Sequence, residues 1–452
     1  MIKSAVFSGK TVGVFGLART GFAAVRALSA SGAKVAAWDD NAERRVDVAD
    51  HLVNLYTADF AKLDALLLAP GVPLTHPKPH ALVKKALKYQ TALISDLDVF
   101  ETARDDLPPH KTVAITGTNG KSTTTSLVGH MVEACGGSTA LGGNIGTGVL
   151  SLDPLPANGV YVFELSSFQL ELTTKFSAEI AVLLNVSPDH LDRHGSYQSY
   201  INAKNKLFSM QDESAVAVVG VDDEKCRSVA EELGARAIQI SAETELSCGV
   251  YVSGGLLIDA IDGEAKPVGD IRAAKALQGI HNAQNAAAAF AVGKCLGFDS
   301  ASIFDALLEF PGLEHRQEIV ATIDGVRFVN DSKATNSDAA GRALASFENI
   351  HWLAGGRGKE VSFTHLAVKM DTVKASYFFG EAAGQLAGDL KPAHLSVHET
   401  LAQAFAAAVL AASPGDTILL SPACTAFDQF ADFEIRGQAF KDMVAVIVGD
   451  EV

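Results

Sequence analysis

Two stretches constrain this chain most: TVGVFGLARTG (11–21) and TVAITGTNGKSTTTS (112–126). Each runs a short apolar segment into a glycine-bearing turn and then into a helical pattern. Repeated along a chain, that order implies strands alternating with helices and a largely parallel sheet, an α/β architecture. Further apolar runs keep it going: KVAAWD (34–39), DALLLAPG (64–71), GVYVFE (159–164), EIAVLLNV (179–186) and AVAVVG (215–220). A last series comprises VRFVND (326–331), HWLAGG (351–356), SYFFG (376–380) and TILLSPA (417–423). The alanine-rich HNAQNAAAAFAVGKCLG (281–297) reads as a helix. At 452 residues the chain exceeds one ordinary core. The polar ETARDDLPPHK (101–111) reads as a linker and Phe310-Pro311-Gly312 as a second break. Three domains follow, at 1–102, 103–311 and 312–452. Many of the strand-like runs end in Gly, Asp or Ser, and in open parallel sheets ligands collect at those ends.

Charge narrows the partners. The net charge of −16 gives no electrostatic footprint for nucleic acid or an anionic membrane, so neither is expected. A bound phosphate must therefore be held locally, by loops and a few placed cations. The five cysteines (135, 226, 248, 295, 424) are scattered, without a C-x-x-C pair. They predict no disulfide framework and no zinc site, and suit a reducing compartment. With no signal-like N-terminus and no apolar run of spanning length, a cytoplasmic protein is expected.

The usual nucleotide loop, G-x-x-x-x-G-K-[ST], would place its first glycine at position 115, which is Ile115. The glycines present are Gly117 and Gly120, giving a shorter G-x-x-G-K-S. Strand before and helix after are nevertheless the context of a phosphate cradle. Backbone N–H groups and the helix N-terminus would face the anion, Lys121 would reach terminal phosphates, and Ser122 would offer a hydroxyl to magnesium. Glu164 ends the strand GVYVFE, where a magnesium-bearing carboxylate is usual; a solvent-facing acid is the plain alternative. The run NVSPDHLDRH (185–194) gathers Asp189, His190, Asp192 and His194 at another strand end. In QSYINAKNKLFSM (198–210), Tyr200, Ile201, Leu207 and Phe208 form one apolar stripe, and Lys204 falls inside it. A lysine on a buried face must be paired, deprotonated or chemically modified, unless its stem snorkels to the surface. In the first domain Gly16-Leu-Ala18-Arg-Thr-Gly21 lacks the middle glycine of a dinucleotide turn, and Asp39 ends the next strand. A nucleotide-sugar site and a purely structural turn both account for it.

The loop GTNGKST, the block ELSSFQLE (164–171), NVSPDHLDRH, and the Y-x-x-A-K of 200–204 together resemble the Mur ligases. So do GIHNAQNAAAA (279–289), HRQE (315–318), NDSKATN (330–336) and SPACTAFDQF (421–430), in order along essentially the whole chain. The resemblance implies a Rossmann-like N-terminal domain holding a UDP group, a central P-loop-type ATPase domain with a mostly parallel sheet, and a Rossmann-like C-terminal domain. Within the family the pattern is most similar to the branch adding D-glutamate to UDP-N-acetylmuramoyl-L-alanine. ATP would phosphorylate the alanyl carboxylate, and the amine of D-glutamate would displace phosphate from the acyl phosphate. No D-N-P-R tetrapeptide of the diaminopimelate- or lysine-adding branch is present, and the glycine that folylpolyglutamate synthetases carry after the loop lysine is Ser122 here.

The resemblance assigns Gly117, Thr118, Asn119, Gly120, Lys121, Ser122 and Thr123 to the nucleotide, with Asn282, Arg316, Asp331 and Lys333. Two magnesium ions are implied, one on Ser122 and Glu164 and a second on His190. Lys204 matches a lysine that carries a carbamate able to bind metal. Lys121, Lys204 and His190 form the implied catalytic set. Thr20, Asp39, Gly71, Asn144 and Ser166 match contacts to the UDP-muramyl substrate; Thr335, Lys359, Thr425, Phe427 and Phe433 match those lining the triphosphate or D-glutamate pocket. A monomer is expected. Three departures stand out: Ala426 replaces a serine facing the glutamate side chain, which Thr425 or Arg357 would then have to supply; Ala69 replaces the serine of S-P-G; and Asp40-Asn41 replaces Thr-Arg.

Overall fold

The computed structural model describes residues 1–358 and 360–449. Its first sheet is β1 (Thr11–Phe15), β2 (Lys34–Trp38), β3 (Ala65–Leu68) and β4 (Ala92–Ile94), ordered β2-β1-β3-β4 and wholly parallel. The second holds β5 (His110–Thr116), β6 (Thr139–Gly143), β7 (Gly159–Glu164), β8 (Ile180–Leu183), β9 (Val216–Gly220), β10 (Ala237–Ser241), β11 (Gly249–Ser253), β12 (Leu256–Ala260) and β13 (Lys266–Asp270). Its order is β13-β12-β11-β10-β9-β8-β5-β7-β6, antiparallel only at β11/β12 and β12/β13. The third comprises β14 (Glu318–Ile323), β15 (Val326–Asn330), β16 (Ile350–Gly355), β17 (Val373–Phe379), β18 (Leu395–His398) and β19 (Thr417–Leu420). It is ordered β14-β15-β19-β16-β17-β18, with β14/β15 its antiparallel edge.

The α/β reading holds, and the reason lies in burial. Val113, Ala114 and Ile115 of β5 and Val182 and Leu183 of β8 are wholly buried, as strands covered by helices on both faces must be. The strand β5 lies between β7 and β8, so the chain leaves it to one side and returns on the other. A crevice opens at such a switch point, outside the carboxyl ends of the strands. The short glycine loop sits there.

The chain divides into two compact units, Met1–Phe310 and Pro311–Val452. The first contains both of the first two sheets, whose side chains share one core: Val14, Leu28 and Phe100 belong to the same buried cluster as Phe163, Leu183 and Tyr200. The expected linker at 101–111 is a correction. Glu101–Ala103 closes the helix Asp96–Ala103, which a capping box of Ser95 and Asp98 starts. Asp98 Oδ1 accepts from the backbone N–H of Thr174 and Lys175 at 2.8 and 2.9 Å, and Arg104 pairs with Glu179 at 2.6 Å. Glu101 and Arg104, which looked like part of a solvated connection, thus tie this helix to the segment leading into β8. The strands β10 to β13 are a second difference: AIQIS, GVYVS, LLIDA and KPVGD are short and interrupted by polar residues, Gly or Pro.

Among the described residues no helix is long and apolar enough to cross a membrane, and all five cysteines are free thiols.

Gly21 shows what the flawed dinucleotide turn is for. A Cβ there would lie 1.8 Å from the Gly16 carbonyl oxygen, so the helix Arg19–Ala30 packs directly on the turn. Ala18 sits at φ −68°, ψ −170°, an ordinary extended N-cap that asks for no glycine. Gly21→Ala is expected to cost about 1–3 kcal/mol of stability, and Ala18→Gly to stay within about 0.5 kcal/mol. Thermal unfolding followed by circular dichroism checks both; equal midpoints for Gly21→Ala and the parent chain would refute the packing role.

Candidate active site

The loop between β5 and the helix Lys121–Ala134 turns on two glycines, Gly117 at φ +151° and Gly120 at φ +84°. At Gly120 a Cβ would meet Asn285 Oδ1 at 2.3 Å, so conformation and space both require glycine. One residue pins the first half of the loop. The Thr118 N–H donates to Asn185 O at 2.8 Å, the Asn119 N–H to Asn185 Oδ1 at 2.9 Å, and Asn185 Nδ2 returns a bond to Asn119 O at 3.2 Å. The Thr118 hydroxyl meets Ser187 and, at 3.0 Å, Tyr200 Oη. The N–H groups of Thr118 and Asn119, expected to face an anion, are therefore turned to Asn185. The N-terminal end of the helix at Lys121, Ser122 and Thr123 is left as the part of the loop suited to an anion.

Two ammonium groups meet at that loop. Lys121 Nζ donates to Gly117 O at 2.9 Å and Thr118 O at 2.8 Å; Lys204 Nζ donates to the same Gly117 O at 2.8 Å. The helix Tyr197–Ser209, capped by Ser196, carries Lys204 on its inner face as the apolar stripe predicts, and the side chain is 1% exposed. Its ammonium stands 4.6 Å over the Tyr200 ring. Burial, and then the Lys121 charge, push its pKa well below the ordinary lysine range; Asp189, Cys226 and Glu164 pull weakly the other way. Lys206, off the stripe, donates to Glu171 O.

Glu164 ends β7 fully buried. Asn144 Nδ2 donates to Oε1 at 2.7 Å, while Oε2 is buried with no hydrogen-bond partner. A buried carboxylate oxygen left open beside a phosphate-type loop fits a divalent cation. His190, at φ +51°, stays half-exposed, 4.9 Å from the Phe168 ring and 3.5 Å from Asp189 Oδ2. His194, grouped with it in the sequence, turns inward to Ser167 Oγ at 2.9 Å, and burial lowers its pKa. Asp192 is exposed. Among the described residues no three His, Cys, Asp or Glu side chains converge as a metal site. The expected set, with a hydroxyl and a modified lysine, does not call for three.

In the same unit Asn282, in the first turn of the helix Ile280–Leu296, accepts from Asn285, which accepts from Thr124 of the loop helix. Asp39 is buried, with Oδ2 accepting from Leu17 N at 2.6 Å and Oδ1 from Asn41 N at 2.8 Å. It holds the Gly16 turn together. Thr20 stands half-buried in the first turn of its helix and Gly71 is exposed. The Ser166 hydroxyl caps the helix Ser167–Leu172. Arg19 reaches from the first sheet to the carbonyls of Gly146 and Asn144 at 2.8 and 3.0 Å.

In the second unit Asp331 follows β15, buried, accepting from Ser421 Oγ at 2.7 Å and Gln317 N at 3.1 Å. Lys333 Nζ lies 5.5 Å over the Phe433 ring, and Thr335 N donates to Lys333 O. The Thr425 hydroxyl donates to Arg357 O, and the Arg357 guanidinium pairs with Glu381. Both candidates for the missing serine are thus engaged within the fold. Phe427 is 57% exposed. Lys359 lies outside the described residues. Asn185 is the residue that the sequence quoted without a role. Its partners are backbone atoms 66 positions away, which no local pattern reveals.

Residues 115–293 match the Mur ligase middle domain, and residues 315–424 match the family described as Mur ligase, glutamate ligase domain. A UDP-N-acetylmuramoylalanine--D-glutamate ligase from Caulobacter sp. (strain K31) is 46% identical, covering 98% of this chain and 98% of its own. The chain belongs to the Mur ligase family. An enzyme of the same name from Phenylobacterium zucineum (strain HLK1) is also 46% identical at the same coverage. Among solved structures, the MurF ligase from Thermotoga maritima in complex with ADP shares the fold at a TM-score of 0.59 and 17% identity, over 99% of this chain and 97% of that one. The two lysines on one loop carbonyl and the open Glu164 oxygen are thus features of a Mur ligase middle domain.

Burial pushes the Asp331 carboxyl up to about 7, with Ser421, Arg316 and Gln317 only partly opposing it. The folded Mur ligase then keeps a proton that the unfolded chain releases near about 3.9. Stability from this group is complete below that value and is lost as pH rises toward 7. Asp331→Asn is expected to flatten the pH 4–7 slope of the unfolding free energy measured in urea; an unchanged slope would overturn the assignment.

Proposed function

We propose that this Mur ligase joins D-glutamate to the alanyl carboxylate of UDP-N-acetylmuramoyl-L-alanine, converting ATP to ADP and phosphate, as a cytoplasmic monomer in peptidoglycan precursor synthesis. The observation that carries the reading is the pair of lysines, Lys121 and Lys204, on the Gly117 carbonyl at the switch point of the central sheet. An acidic chain places two cations where it has few, and a transferring phosphoryl group is the anion such a site suits. The full-length similarity to D-glutamate ligases supports the choice of amino acid.

Amide formation from a carboxylate needs a leaving group better than oxide. A carboxylate oxygen of the alanyl group forms a bond to the terminal phosphorus as the bond to ADP breaks. The D-glutamate amine then bonds to the acyl carbon, phosphate departs with the C–O electron pair, and the amine proton passes to solvent. Charge build-up along this path is met by Lys121 and the N-terminal end of the helix Lys121–Ala134. Ser122 and Glu164 would hold one magnesium ion and His190 a second, which would supply charge neutralisation at the phosphates. Lys204 would hold a carbamate: its neutral Nζ bonds to the carbon of carbon dioxide and one proton leaves, so a buried cation becomes a metal-binding anion. The depressed pKa of Lys204 favours the neutral amine that this addition requires. Asn144 orients the Glu164 carboxylate.

The proposed domains run 1–102, 103–311 and 312–452, with Thr20, Asp39, Gly71, Asn144 and Ser166 toward the UDP-muramyl group. Asn282, Arg316, Asp331 and Lys333 would face the nucleotide, and Thr335, Lys359, Thr425, Phe427 and Phe433 would line the triphosphate or D-glutamate pocket.

Phosphate release in the presence of UDP-N-acetylmuramoyl-L-alanine and ATP should depend on D-glutamate. Stimulation by a different amino acid alone would overturn the substrate, and no stimulation by any would overturn the ligase. Lys204→Ala should lower turnover by at least about a hundredfold, with partial rescue by added acetate or formate. Full activity of that variant would exclude the carbamate.

A further inference from the structure

The residue that clamps the glycine loop is itself oriented from a distance. Gln284, in the helix Ile280–Leu296, is 7% exposed and reaches two polar groups. Its Oε1 accepts from Asn185 Nδ2 at 3.0 Å, and its Nε2 donates to Asp222 Oδ2 at 2.8 Å. Asp222, just beyond β9, is fixed in turn by Ser241 Oγ at 2.5 Å and Ala242 N at 3.0 Å. Gly220 makes room, since a Cβ there would lie 3.0 Å from Gln284 Nε2.

The direction of this chain of bonds is forced. An ionised carboxylate only accepts, so Gln284 must turn its amide nitrogen to Asp222 and its oxygen to Asn185. Asn185 must then present its own nitrogen to Gln284. Its remaining oxygen is left facing Asn119, whose backbone N–H is a donor. One carboxylate thereby sets the amide orientation of buried Gln284 and reinforces that of half-buried Asn185, which holds the loop. Asn119 holds this amide by two bonds of its own, and Gln284 adds a third that favours the same orientation; without Gln284 only the Asn119 pair would remain.

We propose that Gln284 and Asp222 are positioning residues for nucleotide binding, acting through Asn185 on the loop 117–120. This rests on the nucleotide site proposed above, so the test needs an arm that does not use nucleotide. In the ligand-free protein, hydrogen exchange of peptides covering 116–122 should speed up in Gln284→Leu and in Gln284→Glu, which brings two carboxylates together. The double variant Asp222→Asn/Gln284→Glu restores a donor–acceptor match and should recover part of the protection; recovery is partial because Ala242 N–H loses its acceptor. In parallel, both single variants should bind ADP on the order of tenfold more weakly by calorimetry, with KM for ATP raised and KM for D-glutamate unchanged. A stability loss alone would move the substrates together.

Unchanged loop exchange in both single variants, or no recovery in the double, would overturn the relay. Parent protein without ADP affinity would overturn the nucleotide reading instead, and the exchange arm would still decide the relay. Faster exchange with ADP affinity kept would overturn the positioning role.

Discussion

The loop is organised around the burial of Lys204. An ammonium removed from water must recover its lost hydration from fixed partners. Here the recorded donors go to the Gly117 carbonyl and, more distantly, to the Thr116 hydroxyl, rather than to a carboxylate. That demand dictates the loop. The Gly117 carbonyl points at both lysines, Gly117 itself sits at φ +151°, and the next two N–H groups are carried to Asn185. A longer nucleotide loop would offer more N–H groups to a phosphate. This one has two residues fewer and uses its first half to seat a lysine, leaving the helix end and Lys121 to meet the anion.

The same economy of parts joins the first two sheets. Arg193 lies in the turn after His190, with Nη2 donating to Val72 O at 3.0 Å and Nη1 paired with Glu171 at 3.0 Å. Thr75 donates to that same glutamate. Arg19, at the start of the glycine turn in the first sheet, holds the carbonyl of the residue whose side chain orients Glu164. The residues matched to the UDP-muramyl group and those matched to phosphate chemistry therefore share hydrogen bonds as well as a core. Displacing the Gly16–Gly21 turn would be felt at Glu164 through two bonds.

How much of this was legible in the sequence follows from the range of the interactions. The buried parallel strands announced themselves because covering both faces demands unbroken apolar runs. Lys204 stood out because a helix has a period, and a charge inside an apolar stripe breaks it. The segment 101–111 was misread because Glu101 and Arg104 are held by partners some 75 positions away. Asn185, Gln284 and Asp222 were opaque for the same reason: each is an ordinary polar residue whose partners lie more than 60 positions away along the chain. Asp39 and Ser166 carry structural hydrogen bonds, and a motif cannot separate that role from the substrate contacts proposed for them.

The electrostatics of the loop make one modification unusually consequential. Two like charges at about 4 Å repel by about 4 kcal/mol at an effective dielectric constant near 20. Lys121 and Lys204 donate to one oxygen, and their mutual effect appears in the lowered pKa of Lys204. Losing the Lys204 proton removes that repulsion. The carbamate proposed for Lys204 would go further and reverse the sign, setting an anion near Lys121 and the open oxygen of Glu164. Under that proposal the loop would pass from two competing cations to one cation for phosphate and two anions for metal. A chain of net charge −16 cannot attract nucleotide by its overall field. Attraction must therefore come from charges confined to the loop, of which Lys121 is one.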